Sequence, residues 1–313
     1  MTDNCALALK IDVDTLKGYR EGLPRLLDML KRRGIRASIF FSMGPDNSGK
    51  AVRRIFRRGF VSKMLRTRAP STYGLKTLLY GTLLPAPMIV ESDPGLLRRA
   101  VDEGHDCGVH AWDHVFWQDR LLSLSREAVR GQFARSMELF ERVSGTAPAC
   151  CAAPGWQTTP DALAVQDELG FAYCSDVRGT GPSLPRVFLP RMGGTTFRTP
   201  QIPSTLPTLD ELWGTDGLDA DTVNDRYLDL LEPGVNVHTI HTEMEGGAMS
   251  GVFEALLDAC LEGEMAFMTL REVLAGAAAT ADGGAAPLPV SEVVMREIPG
   301  RAGTLAVQQA AEG

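Results

Sequence analysis

The chain has no uninterrupted apolar run of the roughly 18 residues that a membrane-crossing helix requires. Its six cysteines, at 5, 107, 150, 151, 174 and 260, contain no C-x-x-C pair. No disulfide framework is suggested, and a reducing cytoplasm is the expected setting. The N-terminus shows no basic segment followed by an apolar one, so a secretory leader is not expected. Histidine is scarce, with five in 313 residues. Acidic residues are missing from Lys50 to Val90, a stretch that carries nine basic ones. On a chain of net charge −7, that zone calls for an anionic partner or for disorder.

What is present reads as an ordinary α/β protein, 44% hydrophobic and 23% charged. Cys5 to Ile11 is a short apolar run expected to be a buried strand. Leu23 to Arg33 has helical spacing and stops at Gly34, and Ala37 to Phe41 is a second buried strand. This β-α-β opening implies a parallel sheet. After the basic stretch the rhythm resumes. Strands are expected at 105–109, 150–153, 171–175, 234–240 and 266–268, with helices at 94–104, 125–145, 159–169, 221–231, 251–262 and 270–276. A Pro-rich stretch at about 181–208 reads as irregular, 276–289 as a flexible linker, and 290–313 as a tail that packs back as an added strand.

Chemistry-bearing residues fall at the ends of these strands. Asp12 and Asp14 close the first, and His110-x-x-x-His114 follows the strand at 105–109. In parallel α/β folds the C-terminal strand edge is where chemistry is placed. One carboxylate and two imidazoles can hold a divalent metal, leaving the second carboxylate free to act as a base. His241 ends the strand at 234–240 and can serve as a general acid. His238 would face the opposite side and is expected to be structural. Asp176, after the strand at 171–175, could orient His241 or be a turn residue; Glu243 and Glu245 are open to the same two readings. An Asp/His/His set suits Zn²⁺, Co²⁺ or Mn²⁺ without choosing among them.

These residues resemble the polysaccharide deacetylase family, the NodB-like fold of carbohydrate esterase family four. The resemblance implies a deformed (β/α) barrel with one divalent metal. It implies Asp12 as base, Asp14, His110 and His114 as metal ligands, and His241 as acid. The segments KIDVDT, FFSMGPDNSGK, GVHAWDHVFWQ, AAPGWQ, SDVRGT, QIPSTLPTLDE, HTIHTEMEGG and IPGRAGTLAVQQ are similar, more narrowly, to the branch that removes a formyl group from a formamido-arabinose carried on undecaprenyl phosphate. That implies work at the cytoplasmic face of a bacterial inner membrane, in lipid A modification and polymyxin resistance. One departure stands out. The family's third motif supplies an Arg that pairs with the base. Aligned on Gly155, that position is Cys151, with Ala153 where a Pro is usual.

Arg178 is a candidate to replace the missing cation, and Trp112, Gly155, Trp156 and Arg178 are the candidate substrate-binding residues. Either indole could close a tight formyl pocket or be core. Arg53, Arg54, Arg57 and Arg58, interleaved with apolar residues, are the candidate contacts to an anionic membrane surface rather than to nucleic acid. Two other readings remain: an N-deacetylase acting on a glycan or another lipid-linked sugar, and a sugar- or membrane-binding barrel without catalysis.

Overall fold

The computed structural model describes residues 5–51, 76–179, 181, 184–278, 287–301 and 303–310. Strand β1 (Cys5–Val13) is buried along nearly its whole length because it is central. It pairs in parallel with β8 (Gly234–His241) on one edge. On the other edge it pairs with β2 (Ser38–Ser42) at residues 10–13 and with β9 (Ala266–Met268) at residues 6–8. From β2 the parallel sheet continues through β3 (Asp106–Ala111), β4 (Cys150–Cys151) and β5 (Tyr173–Cys174).

The barrel closes without a regular strand. Residues 200–206 run from the β5 side to the β8 side, with Ile202 N–H donating to Cys174 and Ser204 N–H to Val177, while Thr205 and Leu206 N–H both donate to Val237. This is the stretch whose prolines read as irregular. Pro200 and Pro203 offer no N–H, so the segment closes the barrel through isolated bonds rather than a ladder. The fold is a deformed (β/α) barrel of the NodB type.

Helices pack outside. Helix α1 (Leu23–Arg32) buries Leu23, Leu26, Leu27 and Leu30, one stripe at helical spacing. Helices α2 (Pro94–Asp102), α4 (Arg126–Ser144) and α5 (Pro160–Leu169) begin at Asp93, Ser125 and Thr159. Each of these side chains accepts a backbone N–H of the first turn. The remaining helices are α3 (His114–Arg120), α6 (Leu209–Leu212), α7 (Val223–Asp229), α8 (Ser250–Glu262) and α9 (Leu270–Ala278).

Strand periodicity sorts the side chains into two cores. Leu7, Leu9, Ile11 and Val13 face the helices, whereas Ala8 faces the barrel interior with Phe40, Cys150, Ala152, Tyr173 and Val237. Lys10 and Asp12 share Ala8's parity and continue that inner face upward. Each burial of an outer side chain the size of Leu contributes about 1.5–3 kcal/mol.

Two sequence expectations change here. Helix α9 runs to Ala278, three residues into the expected linker. The tail is two strands, β10 (Val290–Glu297) and β11 (Thr304–Ala310), rather than one. They form a second sheet in the order β11-β10-β6-β7, with β6 (Leu189–Met192) and β7 (Thr195–Thr196). Strand β11 reaches the barrel at Arg178, whose N–H donates to Ala306 and whose carbonyl accepts from Gln308.

Candidate active site

At the C-terminal end of the barrel strands, Asp14 stands between two imidazoles. Its Oδ1 lies 3.3 Å from His110 Nε2 and its Oδ2 lies 3.3 Å from His114 Nε2. The two rings stack with centroids 5.4 Å apart. His110 is the fifth residue of β3. His114 opens α3 after its cap, Asp113, which accepts from Phe116 N–H and from Asn47 Nδ2 at 2.6 Å. The pair is therefore a strand end and a helix start joined by a turn, not one helix face.

The donor atoms of Asp14, His110 and His114 all lie within 4.8 Å of one another. Their 3.3 Å separations approach the edge of a tetrahedron with metal bonds of about 2.1 Å, roughly 3.4 Å. Asp14 Oδ1 is buried without a hydrogen bond, as is His110 Nδ1. Burial pushes the Asp14 carboxyl up, but the two imidazoles outweigh it and hold the carboxyl well below its usual range. These residues fit a divalent ion, and no other described residue joins them in this group.

Asp12 lies one strand position below. Its Oδ2 accepts from Lys10 Nζ at 2.6 Å, and Lys10 is fully buried. The ammonium also lies 5.8 Å from the Phe40 ring and 5.3 Å from the Trp156 ring. Asp12 Oδ1 is 3.9 Å from His110 Nδ1 and makes no hydrogen bond. The cation beside Asp12 is thus Lys10, which sequence reasoning passed over. A lysine inside the buried run CALALKIDV was the available signal, because Lys is almost never fully buried unpaired.

Arg178 does not fill that place. Its guanidinium pairs with Glu211 at 2.8 Å and stacks on Trp156 at 4.8 Å. Arg301, from the turn between β10 and β11, reaches Glu211 at 3.1 Å and Asp210 at 3.4 Å, and stacks on the same indole at 4.4 Å. Trp156 is almost wholly buried, donates Nε1–H to Ser204 and offers little surface to a substrate. It adopts φ +53° directly after Gly155 at φ +59°, a pair of left-handed residues that turns the indole inward. Trp112 is half-buried, lies under Arg135 and packs where Gly44 lacks a side chain.

His241 is the register partner of Asp12 in the adjacent strand. Parity places it with Val237 and Thr239, opposite His238, which is buried against the Tyr227 ring at 4.6 Å. Burial lowers the His241 pKa, while Asp14, Asp210 and Asp12 pull it back up. Asp176 does not orient His241. Its Oδ2 accepts from Gln166 at 2.6 Å and from Gln201 at 3.3 Å. The carboxylate that fixes the end of β8 is Glu245, which accepts from His241 N–H at 2.9 Å. Glu243 accepts from Thr15 N–H and Oγ–H, tying this loop to the loop after β1. Gly22 permits that approach, since a Cβ there would sit 2.0 Å from Thr242 O. Arg53, Arg54, Arg57 and Arg58 lie outside the described residues.

Residues 7–174 match the polysaccharide deacetylase family. The chain belongs to that family. Among curated relatives, a probable 4-deoxy-4-formamido-L-arabinose-phosphoundecaprenol deformylase ArnD from Shewanella sediminis is 38% identical over 303 residues, covering 96% of this chain and 94% of the relative. Its counterpart from Wigglesworthia glossinidia brevipalpis is 29% identical, covering 93% and 98%. A solved putative polysaccharide deacetylase from Mycobacterium smegmatis superposes with a TM-score of 0.58 at 14% identity, covering 87% of this chain and 90% of that one. In family terms, Lys10 is the cation that this chain sets beside the first aspartate.

Proposed function

We propose that the protein is a metal-dependent amidohydrolase that removes the formyl group from 4-deoxy-4-formamido-L-arabinose carried on undecaprenyl phosphate, releasing formate and the free amine for lipid A modification and polymyxin resistance. The observation that carries this is the grouping of Asp14, His110 and His114 beside an unpartnered Asp12 oxygen and His241. The near full-length relatives named as deformylases supply the substrate.

Asp14, His110 and His114 would hold a divalent ion, which would supply electrophilic polarisation and lower the pKa of water. Asp12 Oδ1 is free to take the proton of the attacking water, while Lys10 fixes Oδ2 and balances the charge. His241, on the adjoining strand, gives a proton to the departing sugar nitrogen.

The lipid finds support in the rim. Six large apolar side chains are exposed among the described residues, and five of them fall in two segments, Leu79, Leu83 and Leu84 in one and Phe116 and Leu122 in the other. Phe116 and Leu122 follow His114 in the chain. The 79–84 segment is tied to the site through Gly49 N–H to Tyr80 and through Asn47 to Asp113. An apolar rim suits a polyprenyl chain, and the basic sequence before it suits a phosphate-bearing inner-membrane surface at its cytoplasmic face.

The test is product identity. Purified protein with a formamido-arabinose polyprenyl phosphate should release formate, and release should stop with chelator. Acetate from the N-acetyl analogue with no formate from the formamide would move the activity to N-deacetylation. In a separate liposome assay, neutralising the basic residues of 53–68 should weaken binding, and unchanged binding would remove the membrane contact from the account.

A further inference from the structure

Three buried donors that the proposed reaction does not use lie together between the barrel wall and α5. Cys151 and Cys174 are register partners at the ends of β4 and β5, with sulfurs 3.0 Å apart. Asp176 follows on the same face, and the donor atoms of the three residues lie within 4.8 Å of one another. All three are essentially without solvent contact. Asp176 Oδ1 makes no side-chain hydrogen bond, and the Ala153 N–H is the backbone donor that faces the carboxylate. Burial pushes this carboxyl and both thiols up, so the three groups stay neutral by holding protons unless a cation replaces them. Gln166 donates its amide to Asp176 Oδ2 at 2.6 Å and lies 3.5 Å from Cys151 Sγ, so one amide steadies both ends of the group. Outer hydrogen bonds of this kind orient metal ligands.

We propose that Cys151, Cys174 and Asp176 bind a second, structural metal ion, a thiophilic divalent cation such as Zn²⁺. Two thiolates and one carboxylate exceed the charge of such an ion by one, an excess that the Gln166 and Gln201 amide donors at Asp176 offset in part, and loading releases the two thiol protons. The site lies where the barrel is thinnest. Strands β4 and β5 have two residues each, and β3 meets β4 in register only at Val109 and Cys151. An ion there ties the two strands that lead into Gly155-Trp156 and Arg178. This inference does not rest on the proposed reaction.

The experiment is metal analysis with cobalt spectroscopy on three purified proteins: wild type, His110→Ala, and Cys151→Ser/Cys174→Ser. Wild type should hold about two equivalents. His110→Ala should keep about one, with the near-ultraviolet thiolate-to-cobalt charge-transfer band. The double variant should keep about one without that band. No thiolate band on cobalt loading, a metal content that Cys151→Ser/Cys174→Ser leaves unchanged, or a Cys151–Cys174 disulfide in the peptide map would overturn the proposal. Should the double variant fail to fold, the cobalt titration of wild type decides alone.

Discussion

The two ends of the barrel treat buried carboxylates in opposite ways. At the N-terminal end, Asp106 is fully engaged. Oδ1 accepts from both Nε and Nη2 of Arg271, and Oδ2 accepts from Ser38 and from the Tyr173 hydroxyl. At the C-terminal end, Asp12, Asp14, Glu243 and Glu245 each keep an oxygen with no partner, although all but Asp14 are about as buried as Asp106. Satisfied polar groups hold a fold together, and orphaned ones cost stability. These orphaned carboxylate oxygens, with Asp176 Oδ1 also at that end, mark it as the place where stability is given up, as the proposed chemistry requires.

Substitutions should split along the same line. The largest effect is expected for Asp12→Asn, which removes the free oxygen's basicity while keeping its shape. Turnover of the folded fraction should fall by roughly 10³-fold, and the melting temperature should also fall, because the buried Lys10 ammonium loses its counter-charge. Turnover of the folded fraction near the wild-type rate would place Asp12 among the structural carboxylates. Asp106→Ala should lower stability alone. It strands Ser38, Tyr173 and a half-exposed Arg271, costing about 2–4 kcal/mol in denaturant unfolding, with turnover of the folded fraction unchanged.

Lys10→Met sharpens the contrast from inside the site. It leaves Asp12 Oδ2 uncompensated, and turnover should fall by roughly 10- to 100-fold with KM little altered, while Lys10→Arg should recover most of it. Equal loss in both variants would make Lys10 a packing residue.

The smallest effect concerns pH. Burial pushes Glu245 up to about 8, above the ordinary carboxyl near 4.5. Between those values the folded chain holds a proton that the unfolded chain has lost, so this group's stabilisation falls as pH rises from about 4.5 to about 8. Glu245→Gln should flatten that slope in melting curves. A slope unchanged by the substitution would exclude Glu245 as its source.

Much of the fold was legible because the strands are short apolar runs and the helices carry explicit caps. Ala266 to Met268 matches β9 in both bounds, and α5 differs from the expected helix by one residue. The barrel's closure was not legible. Residues 200–206 bond in isolated pairs, so they carry no periodic signal, and β6 and β7 are too short to show one. Within the site, Asp12, Asp14, His110, His114 and His241 were named because strand ends are visible in sequence. Lys10 was missed because it sits inside a strand, where its partner two residues on is hidden by the apolar run around it. Asp176 was assigned to His241 from its place after β5, but a neighbouring helix supplies Gln166, and no local pattern reveals a partner on another element. Arg178 failed for the same reason, its partner Glu211 lying 33 residues away.

The most direct test of the central claim measures bound metal and formate release on the same samples of wild type and His110→Ala. The account predicts that His110→Ala loses about one equivalent of metal and at least about 10³-fold in formate release, with folding preserved. Formate release from a metal-free wild type, or from His110→Ala at the wild-type rate, would contradict it.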